Sequence, residues 1–308
     1  MAAQHPVIRR YGTAALAEAT ALIRAGGIVA VPTETVYGLA ADARDSAAVA
    51  RIYAAKGRPS FNPLIVHLPD LAAAERIAVL DDDARALALR FWPGALTLVL
   101  PLRRDAGIAT LVTAGLDTIA IRVPAHRAIR ALLKESGAPL AAPSANASNG
   151  ISPTRAEHVA ASLGAAVPLI LDDGATMAGV ESTIVAGRTI LRPGPVTAEM
   201  LGAVLSVAAG ATAHVSAPGQ LATHYAPAKP LRLEAVTAAA DEWLIGFGAV
   251  AGDDSLSPGG DVVEAAARLF DALHRADASD RARIAVAPVP GEGVGVAIND
   301  RLRRAAHR

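Results

Sequence analysis

Apolar residues recur along this 308-residue chain in short runs that alternate with helical stripes. Over 11–24, Leu16, Ala19, Leu22 and Ile23 share one side of a helix that Gly26-Gly27 ends. Residues 28–31 are a continuous apolar run closed by Pro32, the pattern of a buried strand. A second helix is expected over 46–56, stopped by Gly57 and Pro59. Strand character follows at 64–68, 96–100 and 118–123, and helical character at 70–79, 82–91 and 126–136. A short strand at 140–142 runs into a loop of small polar residues. Ser152-Pro153 is expected to open a helix, with proline where its missing N–H costs nothing. Strands at 169–171, 182–185 and 189–191 complete the series. Periodicity then stops over about 206–229, in a stretch of Ala, Gly, Pro and Ser that reads as a linker. Beyond it, 231–236, 243–247 and 283–287 read as strands, and 262–276 and 294–305 as helices. The alternation predicts an α/β architecture in two units, 1–206 and 231–308, joined by a linker over 207–230.

Composition narrows the function. Lys+Arg and Asp+Glu both number 29, so no global basic excess exists to grip a long nucleic acid. Aromatic residues are 3% of the chain, too few for a platform on which single-stranded bases stack. Hydrophobic residues make up 52%, enough for a real core. Cysteine is absent, which removes disulfides, thiolate metal sites and a thiol nucleophile. No apolar signal core opens the chain and no apolar run is long enough to span a bilayer, so a soluble, cytoplasmic protein without a membrane partner is expected.

Familiar signatures are missing. There is no GxxxxGK[ST] loop, no HExxH pair and no GxSxG elbow. Gly246, Gly248 and Gly252 follow a strand, but the third glycine comes one position late for a dinucleotide loop. Gly291, Gly293 and Gly295 read as a flexible entry to the last helix.

Three polar loops stand out, each at the end of an apolar run. In Pro32-Thr33-Glu34-Thr35-Val36-Tyr37-Gly38, two threonines flank a carboxylate after a buried strand, where open α/β sheets gather ligands. A helix cap by Thr33 or Thr35 explains the pattern equally well. In Lys56-Gly57-Arg58-Pro59-Ser60-Phe61-Asn62-Pro63, a lysine and an arginine flank a glycine, and two prolines stiffen the stretch leading to His67. Such a loop can hold two cations toward an anion. A solvated helix terminus accounts for Lys56 but not for the rigid stretch after it. The third loop runs from Ala142 through Ser144, Asn146, Asn149 and Ser152 to Thr154. Its small residues, hydroxyls and amides suit phosphate oxygens, although Ser152 is also placed to cap a helix. Arg122, Ser182 and Arg192 each sit at an edge of an apolar run, and either arginine alone could be an ordinary surface residue.

Together these stretches resemble the YrdC-like family. The resemblance rests on Gly26-Gly27, Pro32 to Leu39, Lys56-x-Arg58-Pro59-x-x-Asn62-Pro63-Leu64-Ile65-Val66-His67, Pro143-Ser144-Ala145-Asn146, Glu181-Ser182-Thr183 and Leu191-Arg192-Pro193-Gly194. The linker motif His224-Tyr225-Ala226-Pro227 resembles the family's two-domain form. The resemblance implies a twisted open sheet with helices around a concave site, plus a smaller Rossmann-like C-terminal α/β domain. It implies condensation of L-threonine, bicarbonate or CO2, and ATP to threonylcarbamoyl-AMP and pyrophosphate, with magnesium on the ATP. A partner transferase complex then passes the group to tRNA. Carried over to this sequence, threonine contacts fall at Thr33, Thr35, His67, Arg122 and Ser182, and at Ala142 through its backbone alone. ATP contacts fall at Lys56, Arg58, Asn62, Thr118, Ser144, Asn146, Ser152, Arg192 and Tyr225, with Lys56 and Arg58 catalytic. The linker bearing Tyr225 is expected to cross the site as a lid.

Two rivals remain. The carbamoyl-adenylate step of hydrogenase maturation uses the same fold but with cysteine-rich zinc modules, and this chain has no cysteine. A double-stranded-RNA-binding or ribosome-associated module without catalysis could exploit a local basic surface, and weak RNA contact is compatible with either reading.

Overall fold

The computed structural model describes residues 6–210 and 224–307. Its strands are β1 (Val7–Arg10), β2 (Val29–Pro32), β3 (Tyr37–Asp42), β4 (Ile65–His67), β5 (Leu96–Pro101), β6 (Thr118–Arg122), β7 (Leu140–Ala141), β8 (Leu169–Asp172), β9 (Thr183–Ala186), β10 (Thr189–Arg192), β11 (Ala208–Ala209), β12 (Leu231–Arg232), β13 (Glu242–Gly246), β14 (Asp254–Ser255) and β15 (Arg283–Val286). The α-helices are α1 (Thr13–Arg24), α2 (Ser46–Lys56), α3 (Leu71–Ile77), α4 (Asp82–Phe91), α5 (Thr110–Thr113), α6 (Arg127–Ser136), α7 (Ala156–Leu163), α8 (Ala198–Gly202), α9 (Val262–Ala278) and α10 (Gly295–Ala306). Among the described residues, β1 to β11 form one mixed sheet in the order β1-β8-β2-β3-β7-β4-β6-β5-β9-β10-β11. The last four strands form a separate parallel sheet, β12-β15-β13-β14. The expected α/β class is what the chain adopts.

Three local expectations change. The polar loop after β2 is only a tight turn, because Tyr37–Asp42 returns antiparallel as β3, with Pro32 opposite Tyr37. The small residues Gly38, Ala40 and Ala41 carry little strand propensity, so their burial in the sheet overrides it. The helix expected at Ser152-Pro153 begins only at Ala156. Its N-cap position is Arg155, with no side-chain cap bond, so Ser152 is not a helix cap. The strand expected over 231–236 stops at Arg232, and Glu234 takes a left-handed φ of 55°. Of the linker read over 207–230, residues 211–223 lie outside the described residues.

Two cores meet. One lies under the large sheet, around Leu39, Ile52, Leu64, Val66, Leu98 and Ile121. The other fills the small sheet and its helices with Leu269, Phe270, Leu273, Ile284, Val286 and Ile298. Val36, Ile151, Val180 and Tyr225 belong to this second cluster, although none lies in the small sheet or its helices. At ~1.5–3 kcal/mol for each fully buried aliphatic side chain, such contacts commit the two units to each other. Gly179 makes the contact close: its φ is +67°, and a Cβ there would fall 2.2 Å from the carbonyl oxygen of Ala266 in α9.

Candidate active site

Strand register gathers the site. β4 and β6 pair in parallel with His67 opposite Arg122, so both residues end their strands side by side. β5 pairs with β9 so that Leu96 faces Thr183, which sets Ser182 at the entry of β9. A bridge between Gly38 and Ser144 ties β3 to the loop after β7. These ends surround a cleft of about 530 Å³, counting its open mouth. Of the residues singled out in the sequence, Thr33, Thr35, Arg58, His67, Arg122, Ala142, Ser144, Ser182, Arg192 and Tyr225 border it. Lys56, Asn62, Asn146 and Ser152 do not border it but are buried in the segments that do. Thr118 stands apart: it opens β6, opposite Pro101, four residues from the end that carries Arg122.

The two threonines of the first loop are hydrogen-bonded to each other, Oγ1 to Oγ1 at 2.8 Å, and differ in their other partners. Thr33 Oγ1 donates to the Val36 carbonyl at 2.7 Å and accepts from the amides of Thr35 and Val36 at 3.1 and 3.2 Å. It closes the β2–β3 turn. Thr35 Oγ1 instead accepts from Arg122 Nη1 at 2.8 Å. Between them, Glu34 Oε1 lies 2.6 Å from Arg122 Nη2. Burial pushes the Glu34 carboxyl up, but the Arg122 charge and hydrogen bonds outweigh it and hold the group at about 2, below its ordinary 4.5.

The second loop places its cations by backbone geometry. The Asp45 carboxylate caps α2, accepting from the amides of Ala47 and Ala48. Gly57 ends the helix at φ 58°, a left-handed turn that suits glycine. Lys56 is buried rather than solvated, so the reading as an exposed helix terminus is overturned. Its Nζ donates to the carbonyls of Ser144, at 2.6 Å, and of Asn146. Burial, with Arg58 nearby, drives its pKa well below the ordinary 10.5. Arg58 donates through Nε to Asn62 O at 3.2 Å and through Nη2 to Pro63 O at 2.9 Å. The proline-stiffened stretch thus serves as a cradle for the guanidinium.

In the third loop Asn146 Nδ2 donates to Ala147 O and Gly150 O, both at 2.9 Å. The Ser152 hydroxyl donates to Glu181 Oε1. Arg122 and Arg192 are both buried, which removes the surface reading of either. Arg192 donates through Nε and Nη2 to Ser182 O at 3.0 and 2.9 Å, and through Nη2 to Ser182 Oγ at 3.1 Å. Burial, together with Arg122, pushes the His67 imidazole down to about 3, so it is neutral at ordinary pH.

Buried polar atoms without a hydrogen-bond partner concentrate here: Asn62 Oδ1, His67 Nδ1, Asn146 Oδ1 and Tyr225 Oη. In folded proteins such atoms are rare and mark places where a ligand or solvent supplies the partner. The arrangement is a braced Arg122 guanidinium, held by Glu34 and Thr35, beside a hollow edged by Arg58 and Arg192.

Sequence reasoning missed several residues that shape the cleft. Glu34 was legible as a carboxylate between threonines, but its pairing with Arg122 spans 88 positions. Thr97 Oγ1 lies 2.8 Å from Ser182 Oγ inside an otherwise apolar strand. Glu181 borders the cleft, and its partner Arg301 comes from the final helix, where nothing in the pattern distinguishes it from Arg303 or Arg304.

Comparison with known proteins gives the family. The family model for Sua5, YciO and YrdC proteins, described as "Telomere recombination", matches residues 21–194. The model described as "Threonylcarbamoyl-AMP synthase, C-terminal domain" matches residues 196–307. The chain belongs to the Sua5/YrdC family, in its two-domain form. The threonylcarbamoyl-AMP synthase of Bacillus subtilis is 42% identical, over 94% of this chain and 92% of its own length. That of Pyrococcus abyssi is 38% identical, over 94% of this chain and 93% of its own. The crystal structure of P. abyssi Sua5 complexed with L-threonine superposes with a TM-score of 0.89 at 36% identity, covering 98% of both chains.

Proposed function

We propose that this chain is a threonylcarbamoyl-AMP synthase, joining L-threonine, CO2 or bicarbonate, and ATP. The threonine amine adds to carbon dioxide and releases a proton, giving a carbamate. A carbamate oxygen attacks the α-phosphorus of ATP, and pyrophosphate leaves with the electrons of the broken P–O bond. No covalent enzyme intermediate is needed. The chemistry asks for two anions held together and for cations at the developing charge. The observation that carries the reading is one cleft edged by Arg122, Arg58 and Arg192, with Lys56 buried behind it.

In this reading Arg122 reads the threonine carboxylate through its planar fork. Thr35, His67, Ser182 and the Ala142 backbone shape the rest of the amino-acid pocket. Lys56, Arg58, Ser144, Asn146 and Arg192 handle the triphosphate, with Asn62, Ser152 and Tyr225 supporting it. Alignment of carbamate and phosphorus can contribute ~7–11 kcal/mol, more than a single proton transfer, so positioning dominates. Among the described residues no group of three or more His, Cys, Asp or Glu is placed to hold a metal ion. Magnesium would come on the ATP phosphates, where it would supply charge neutralisation.

Tyr225 and His224 border the cleft, which supports the linker as a lid that keeps water from the carbamate. No helix among the described residues is long and apolar enough to cross a membrane. The proposed place of work is the cytoplasm, beside a transferase that passes the product to tRNA. The deciding experiment is threonine-dependent release of pyrophosphate from ATP with bicarbonate present. Tight binding of double-stranded RNA without that release would favour the binding module instead.

A further inference from the structure

Arg301 on α10 is completely buried, yet it belongs to the small domain and faces the wall of the cleft. Its Nε donates to Glu181 Oε2 at 3.0 Å, its Nη1 to Pro193 O at 2.7 Å and to Asp300 Oδ2 at 3.1 Å, and its Nη2 to Glu181 O at 3.4 Å. Its guanidinium carbon lies 5.4 Å from the centre of the Tyr225 ring. One side chain thus touches three segments of the cleft: Glu181 beside Ser182, Pro193 beside Arg192, and the linker at Tyr225.

A domain clamp alone does not need a charge. Buried ion pairs carry a heavy desolvation cost, and apolar packing serves a purely structural contact as well or better. The reason for a cation here is Glu181. Its carboxylate is buried at the edge of the cleft, where Oε1 accepts from Ser152 and Oε2 from Arg301. Arg192 lines the same cleft and bonds the carbonyl of the next residue, Ser182, so it lies beside this carboxylate. Arg192, in turn, is aimed at Ser182 by three hydrogen bonds. Without Arg301, the carboxylate would turn to the remaining guanidinium and draw it off Ser182.

We propose that Arg301 is a positioning residue: it holds the Glu181 carboxylate away from Arg192, and so fixes Arg192 and Ser182 for ligand binding from a domain that supplies no strand to the site. The choice of ATP as its ligand rests on the function proposed above. The arrangement also couples sites, because whatever tightens the Arg301 contact favours the ligand-ready Arg192, and ligand at Arg192 must tighten the domain contact equally.

The test uses the full chain as Arg301→Met, Arg301→Lys, Glu181→Gln and the double variant R301M/E181Q. ATP affinity is read by calorimetry, and folding by the thermal transition. Arg301→Met is expected to weaken ATP binding about 10–100-fold, the range for one misplaced charged hydrogen-bonding group, and Arg301→Lys less. The informative variant is the double one. With the carboxylate neutralised, Arg192 is no longer drawn away, so R301M/E181Q should bind ATP about 10-fold better than Arg301→Met. A double variant no better than the single one would mean a structural clamp only and would overturn the proposal, as would folded Arg301→Met that binds ATP like the wild type. A ligand-free readout separates this from the functional reading. In a crystal structure of Arg301→Met, the Glu181 carboxylate should lie within ion-pair distance of Arg192. A carboxylate still in its present place sinks the proposal even if ATP proves not to be a ligand.

Discussion

Glu34 and Arg122 form an ion pair at the threshold of the cleft, with Oε1 and Nη2 2.6 Å apart. The same guanidinium is braced by the Gly94 carbonyl through Nε at 3.1 Å and by Thr35 through Nη1. An arginine so held is oriented before any ligand arrives, which lowers the ordering cost of binding. Arg122→Lys keeps the charge but loses the fork, and should raise the KM for threonine about 10–100-fold with little change in that for ATP. Equal effects on both substrates would count against the assignment.

The Glu34 carboxyl titrates at about 2 instead of 4.5, so the folded state binds its proton less readily than the unfolded chain. Its contribution to stability is complete above about 4.5 and is lost as pH falls toward 2. At neutral pH it amounts to at most roughly 3 kcal/mol. Urea midpoints of the wild type and Glu34→Gln should therefore differ at pH 7 and converge as pH drops through that window. A gap that is constant with pH would disprove the linkage.

Lys56 gives a proton signature. Burial beside Arg58 favours its neutral form, and a triphosphate would favour the charged form. At pH values above the depressed pKa of Lys56, ATP binding should take up protons, seen as a binding enthalpy that varies with the buffer's ionisation enthalpy. Lys56→Met should lose that dependence. Because the folded-state pKa is depressed, Lys56 itself makes stability rise with pH up to about 10.5, the same sense as Glu34 but in a higher pH range.

The two threonines of the β2–β3 turn should part company. Thr33→Ala removes the hydroxyl that closes the turn and should cost about 1 kcal/mol of stability, read by thermal denaturation. Thr35→Ala removes an acceptor of Arg122 together with one hydrogen bond to Thr33, and should act on threonine affinity more strongly than Thr33→Ala does. Matching losses of both kinds in both variants would refute the division of labour.

Tyr225 Oη is buried without a hydrogen-bond partner, while its ring packs 5.5 Å from that of Phe270. Tyr225→Phe should leave the unliganded protein as stable or up to about 1 kcal/mol more so, and weaken ATP binding. Tyr225→Ala should release pyrophosphate without matching formation of threonylcarbamoyl-AMP. Product and pyrophosphate that stay in step in that variant would remove the lid.

The sequence carried the α/β class and the three loops because strand ends and punctuation by glycine and proline are local signals. His67 and Arg122 were legible separately, but their adjacency is a matter of β4–β6 register, which no local pattern encodes. Ser152 shows the cost of a local rule: Ser-Pro looks like a helix start, yet tertiary pairing with Glu181 claims the hydroxyl and the helix begins later. Thr97 and Arg301 were invisible for the same reason, since their partners lie 85 and 120 residues away.

Val36, Ile151 and Val180 are rooted in the hydrophobic centre of the C-terminal unit, though they are carried by loops of the larger one. The boundary between the units is therefore not a seam along which this protein can be cut. Trimming the chain to its first two hundred residues would lay these aliphatic side chains open to water beside the catalytic hollow.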